Sequence, residues 1–193
     1  MARAMIGGLF GGLALYLVGF VFWGTPLANL AFSSLDDSRS AALQAALAQY
    51  LTESGTGTYA VPWPGSGEGT ILYGKGPIAT IHYVAGGFPV VDTAALVWAL
   101  IFALVTGLVI AAALYGIGHR VLAFADRARL VLLFAFAAAF YLHLGQPVFN
   151  HYGWGYFIYL FLSDFIGLSA AGIVIARWFL PGASSADVEP RSP

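Results

Sequence analysis

One aspartate, Asp164, lies among apolar residues in the stretch YLFLSDFIGLSAAGIVIARWFL, residues 159–180. The only other charge there, Arg177, follows ~20 Å further along a helix, too far to pair. In lipid a charged carboxylate costs at least ~2.5–3.5 kcal/mol, and without a cation desolvation favours the neutral acid. Asp164 is therefore either a proton-exchanging site or a neutral acid hydrogen-bonded between helices.

Three side chains on other apolar segments are candidate partners of this carboxyl group. Asp164 lies roughly 12 Å from the outer end of its segment, and depth matching gives Tyr16 and Tyr141 as possible hydrogen-bond donors to it. His143 lies nearer the end of its own segment and reaches Asp164 only if the helices tilt. Asp164, His143, Tyr141 and Tyr16 are thus the intramembrane proton candidates.

A second polar group occurs in YLHLGQPVFNHYGWGY, residues 141–156. Tyr and Trp are typical of the membrane interface, and the polar residues can cap a turn. A functional interpretation is a pocket for a lipid headgroup or a quinone at this outer mouth. The candidate binding residues are His151, Asn150, Gln146, Trp154 and Tyr159. His82, His143 and His151 have no tight ligand spacing, so we expect no metal and no cofactor.

The sequence lacks the motifs that would indicate other kinds of active or binding site. No phosphate loop or dinucleotide fingerprint is present, and Ser163 beside Asp164 lacks a base and an oxyanion site. Cysteine is absent, which excludes disulfides and thiolate sites. The net charge of −1 argues against nucleic acid as a partner. We expect no catalytic residues and a protein that is not an enzyme.

The composition places these residues in lipid. Of the 193 residues, 60% are hydrophobic and only 9% are charged, where a soluble domain has roughly a quarter. Mean hydropathy is +0.82. A membrane-spanning helix needs about 20 apolar residues. Four segments qualify, at residues 5–26, 93–117, 130–144 and 156–180.

Basic residues predict the orientation, because cytoplasmic loops carry an excess of Lys and Arg. One side of the bundle holds Arg3, Arg120, Arg127, Arg129, Arg177 and Arg191. The other side holds only Arg39 and Lys75, within a long insert. The pattern predicts a multi-pass protein of the bacterial inner membrane with both termini cytoplasmic and the insert outside.

The insert, residues 32–91, has a mixed α and β pattern. Ser34 and Asp37 resemble a capping box at the start of a helix. A short strand follows in GTYAVPWP, and TILYGKGPIATIHYV predicts a hairpin that turns at Gly74–Gly76. The GSGEG run before it is interpreted as an exposed loop. The organisation is then a first span at 1–31, the insert at 32–91, three spans at 92–180 and a disordered tail at 181–193.

Small residues spaced four apart indicate close helix packing. They occur in the first span as Gly7, Gly8, Gly11 and Gly12, and in the fourth as Ser163, Gly167 and Ala171. They form either a homodimer seam or contacts within one bundle.

The expected fold is an all-α membrane protein, a four-transmembrane-helix bundle with a small α+β extracytoplasmic insert between helices 1 and 2. The pieces IGGLFGGLALYLVGFVFW, GTYAVPWP and the aspartate-bearing last span resemble small uncharacterised bacterial four-span inner-membrane proteins, a resemblance that implies no activity. Three functions fit the sequence: an accessory or assembly subunit with a membrane-protein partner or a second copy, a small proton-coupled carrier or channel that uses Asp164, and a lipid- or quinone-binding protein.

Overall fold

A computed structural model describes residues 1–181, so Arg191 and the predicted tail beyond residue 181 lie outside it. It divides into two compact units, one formed by residues 1–33 with 93 onward and one by residues 34–92. The helices of the first unit are α1 (Ala2–Trp23), α4 (Thr93–Ile117), α5 (Phe124–Ala139), α6 (Gly145–Asn150) and α7 (Trp154–Trp178). The second unit contains α2 (Asp37–Leu51), β1 (Gly57–Val61), α3 (Gly67–Lys75) and β2 (Ala79–Tyr83).

Four helical segments of the first unit are long and apolar enough to cross a membrane: Ala2–Trp23, Thr93–Ile117, Phe124–Asn150 and Trp154–Trp178. They form an antiparallel bundle in which α7 packs against α1 and α5, and α1 also packs against α4. The predicted bundle of four apolar helices is confirmed, together with a small two-stranded sheet in the insert.

Glycines on α1 determine how closely the helices approach. A Cβ atom on Gly11 would lie 2.9 Å from the Ala171 carbonyl oxygen of α7, and one on Gly12 would lie 2.6 Å from the Ala103 oxygen of α4. Gly7 faces Phe179 and Gly8 faces Leu108 in the same way. Both glycine faces of α1 are therefore covered inside the bundle. On α7, Ser163, Gly167 and Ala171 are all buried, and Gly167 contacts Leu15 of α1.

Arginines complete the helix ends at one end of the bundle. Arg3 donates a hydrogen bond to the Trp178 carbonyl, 2.9 Å away, and Arg177 lies over the Phe124 ring. Arg127 is fully buried, and its Nε donates to the Val121 carbonyl at 2.7 Å. Arg3 and Arg127 thus satisfy carbonyl groups that a helix end or a loop leaves without a backbone partner, whereas Arg177 makes a cation–π contact.

The third apolar segment is longer than predicted, because α5 continues through a π-helical turn, Phe140–Leu144, into α6. Pro147 accounts for the turn. Proline has no N–H for the carbonyl four residues earlier, that of His143, and its ring crowds that carbonyl. Widening the helix by a π turn relieves the conflict. The prediction that this helix ends at residue 144 is wrong, since Gln146 and Asn150 are still helical.

In the second unit, β1 and β2 pair antiparallel, with Tyr59 opposite Ile81. The predicted hairpin over residues 70–84 is wrong. Its first half is α3, whose N-cap Ser66 accepts from the Gly69 N–H and whose helix ends at Gly76 with a φ of 66°. The GSGEG run is thus a helix start, not a loop. Helix capping overrides the strand preference of the β-branched residues.

Helix α2 begins two residues later than predicted, because its N-cap is Asp36 and not Ser34. The Asp36 carboxylate accepts from the Arg39 N–H at 2.9 Å. This backbone hydrogen bond lowers the pKa of Asp36 below its ordinary value, with a second contribution from the Ser38 hydroxyl. Because a lowered pKa in the folded state favours the ionised cap, this contribution to stability is present above the unfolded pKa and is lost as the pH falls through the folded one.

Candidate functional site

His143 and Asp164 are in contact within the bundle. The distance from His143 Nε2 to Asp164 Oδ2 is 2.6 Å. His143 lies in the π-helical turn and Asp164 lies ten residues into α7, ~15 Å from its first residue. From the sequence we expected His143 to reach Asp164 only if the helices tilted. In the structure, the longer third helix and its π turn bring the two side chains together.

The two side chains differ in exposure. The side chain of His143 is 15% exposed and that of Asp164 is 49% exposed. On the same stretch of α7, the rings of Phe161 and Phe165 stack on each other and meet Phe136 of α5 edge to face. The imidazole is therefore largely covered, while about half of the Asp164 side chain is left uncovered by the rest of the chain.

A contact of this length needs a proton between the two atoms. Either the imidazole donates its N–H to a carboxylate, or a carboxylic acid donates to the ring nitrogen. The pair is neutral overall in two states: an imidazolium beside a carboxylate, whose charges cancel, or a neutral imidazole beside a protonated acid. The carboxyl group thus has a partner in the apolar segment that accepts or supplies the proton.

The two tyrosines predicted as partners lie elsewhere. Tyr141 is 76% exposed, and Tyr16 lines a hollow between α1 and α4 together with Trp23 and Phe102. Of the four proton candidates, the structure joins only His143 and Asp164.

Two hydrogen bonds fasten the end of α1 to α7 next to the pair. Trp23 Nε1 donates to Ser163 Oγ at 3.0 Å, and the buried Tyr159 hydroxyl donates to the Phe22 carbonyl at 2.5 Å. Because Ser163 directly precedes Asp164, the first of these bonds also restricts rotation and sliding of α7 at the site. Tyr159 therefore belongs to the α1–α7 contact.

The other outer-mouth candidates do not converge on one point. The Asn150 amide donates to Gln146 Oε1 at 2.8 Å, so these two residues of α6 satisfy each other. His151 ends α6 with a φ of 56°, and Trp154 begins α7 with an exposed ring. Within residues 1–181 there is no cluster of three or more His, Asp or Glu that could hold a metal ion.

Sequence reasoning missed the π turn at this site and, at the other end of the bundle, the burial of Arg127. Pro147 inside an otherwise apolar helical pattern was the available signal for the turn. From the sequence, Arg127 served only as one of the basic residues that predict the membrane topology.

Compared with known protein families, curated proteins and solved structures, the chain matches none of them.

Proposed function

We propose that this protein is a non-enzymatic, multi-pass protein of a bacterial inner membrane whose function depends on a proton held between His143 and Asp164. The observation that carries the proposal is the 2.6 Å contact between the two side chains on helices apolar enough to cross a membrane. Ionisable residues at such positions are costly, and they commonly mark ion or proton pathways.

The half-uncovered Asp164 side chain leaves room for a second group, from a partner or from water, to exchange a proton with it. A structural acid would be enclosed by its hydrogen-bonding partners, whereas here 49% of the side chain is accessible. Four helices are too few to enclose a transport path alone. We therefore expect the protein to work as a small proton-coupled carrier or channel together with a second copy or a partner membrane protein.

Infrared difference spectroscopy in lipid nanodiscs tests the proton site. Between about pH 4 and about pH 9, we expect a carboxyl band that titrates, is absent in Asp164→Asn and shifts in frequency in His143→Gln. Asp126→Asn, at the start of α5, is the matched control and should leave the band intact. The proposal would be overturned if the band kept its frequency in His143→Gln, or if the Asp164 band did not titrate in this pH range.

An accessory role is the second candidate, and the surface of the insert favours it. Large apolar side chains stay exposed there, including Trp63 at 67%, Ile71 at 60% and Phe88 at 70%. Exposed apolar groups of this kind mark interaction surfaces. Gentle purification from native membranes should then retain a partner subunit, and Asp164→Asn should retain it equally. Loss of the partner only in Trp63→Ser would locate its binding surface.

The proposed orientation rests on the arginines of the first unit, because all of those within residues 1–181 lie at one end of the bundle. Because the chain has no cysteine, single cysteines report accessibility without background. We expect an impermeant maleimide to label Ser54→Cys in intact cells and Ala123→Cys only after permeabilisation. Labelling in the opposite order would reverse the proposed topology.

A further inference from the structure

An apolar cleft opens between α4 and α5 on the side of α7 that carries Asp164. α4 and α5 make almost no contact with each other, although both contact α7. The cleft has a volume of about 370 Å³. Its lining is apolar throughout and includes Ile110 and Ala113 of α4, Phe134 and Ala135 of α5, and Leu168 of α7. We call this space the α4–α5 cleft.

The His143–Asp164 pair lies about one helical turn beyond the Leu168 end of this cleft, and neither residue belongs to its lining. Asp164 precedes Leu168 by four residues on α7, so the two side chains are one turn apart on the same side of the helix. His143 belongs to the helical segment that carries the α5 wall, eight residues beyond Ala135. The cleft extends from Leu168 toward the arginine end, where Ile117 and Leu130 line it. Its axial length from Ile110 to Ile117 is ~10 Å.

The chemistry of the cleft specifies a class of ligand. An apolar cleft with a hydrogen-bonding pair one helical turn beyond it suits a molecule with a hydrocarbon chain and a small polar head. The volume is at the small end of the roughly 300–1,000 Å³ that ligand pockets occupy, which favours one chain over two. A carboxylate or phosphate head is disfavoured, because it would bring a net negative charge next to a pair that is neutral overall, in an apolar setting.

We propose that the α4–α5 cleft binds a neutral single-chain amphiphile whose hydroxyl or carbonyl head hydrogen-bonds to the His143–Asp164 pair. The exposed half of the Asp164 side chain is the part that the head covers. Prenyl-type quinones and quinols have this chemistry. The inference rests on the proposed function, since a pair that holds a proton supplies the hydrogen-bond donor or acceptor the head requires.

Native mass spectrometry of the full chain, titrated with a decyl-substituted benzoquinone, tests the inference. Ala113→Phe fills the α4–α5 cleft, and we expect binding at least about tenfold weaker. Ala99→Phe is the matched control, because it places the same ring in the hollow between α1 and α4 and should change binding less than twofold. Asp164→Leu removes the head's partner and should weaken binding roughly tenfold.

Decanoate tests whether the cleft prefers a neutral head group, since its chain is similar in length to that of the quinone but its head group is charged. We expect it to bind at least about tenfold more weakly than the quinone. Absence of quinone binding, equal effects of Ala113→Phe and Ala99→Phe, tighter binding of decanoate, or unchanged binding in Asp164→Leu would each overturn the inference. The infrared titration reads the proton at Asp164 without any ligand, so failure of the cleft and failure of the proton site are distinguishable.

Discussion

Replacing Gly12 with leucine is expected to disrupt the bundle, at a cost of about 3 kcal/mol in the free energy of unfolding. A Cβ atom on Gly12 would lie 2.6 Å from both the Ala103 oxygen and the Leu104 Cα. These are backbone atoms of α4, so no side-chain rotation relieves the overlap. Gly107 of α4 meets the backbone of Gly8 and Gly12 from the other side, and the two helices would have to separate.

Gly19→Leu is the matched control on the same helix, because a Cβ there meets nothing within 4 Å. Its effect should stay within ~0.5 kcal/mol. Reversible unfolding in bicelles, followed by steric trapping, measures both variants. If Gly12→Leu left the monomer as stable as Gly19→Leu and instead changed the dimer population, the glycines would form a homodimer seam and the packing described here would be wrong.

Replacing His143 with leucine is expected to cost ~2–3 kcal/mol of stability in lipid, since a charge-assisted hydrogen bond is lost and a carboxyl group is left without its partner. When Asp164 is already leucine, replacing His143 with leucine should lower the free energy of unfolding much less, because the hydrogen bond is already absent. The resulting coupling energy should be at least ~1 kcal/mol. The measurement is again reversible unfolding of the single and double variants.

Tyr141 and Tyr16 provide the controls for this cycle, because each matched Asp164 in predicted depth. Tyr141→Phe and Tyr16→Phe, each combined with Asp164→Leu, should give coupling within ~0.5 kcal/mol of zero. A coupling at Tyr141 or Tyr16 as large as that at His143 would mean that the carboxyl group has a different partner in the membrane.

The sequence was sufficient for the features that repeat along a helix. The span Thr93–Ile117 agrees with its prediction residue for residue, because hydropathy over some twenty residues needs no tertiary information. The spacing of Gly7 with Gly11 and of Gly8 with Gly12 indicated close approach. It did not indicate that one face meets α7 and the other meets α4, since that depends on which helices become neighbours.

Local competition between signals explains the remaining differences. In α3, the Ser66 cap, Glu68 in the first turn and Lys75 in the last turn favour a helix, and they outweigh the strand preference of Thr70 and Ile71. The contact between His143 and Asp164 depends on a π turn that Pro147 imposes several residues away. The His143–Asp164 contact and the α4–α5 cleft both depend on how separate helices pack together. The sequence of one helix alone therefore does not predict them.

The central claim is that His143 and Asp164 hold one another in a lipid-embedded bundle. Magic-angle-spinning NMR of the full chain in lipid bilayers, with ¹⁵N-histidine and ¹³C-aspartate, measures the dipolar coupling between imidazole nitrogen and carboxyl carbon. The contact predicts one strong coupling, corresponding to a distance below ~4 Å, that disappears in Asp164→Asn. A bilayer sample without that coupling, or one in which it survives the substitution, would contradict the claim.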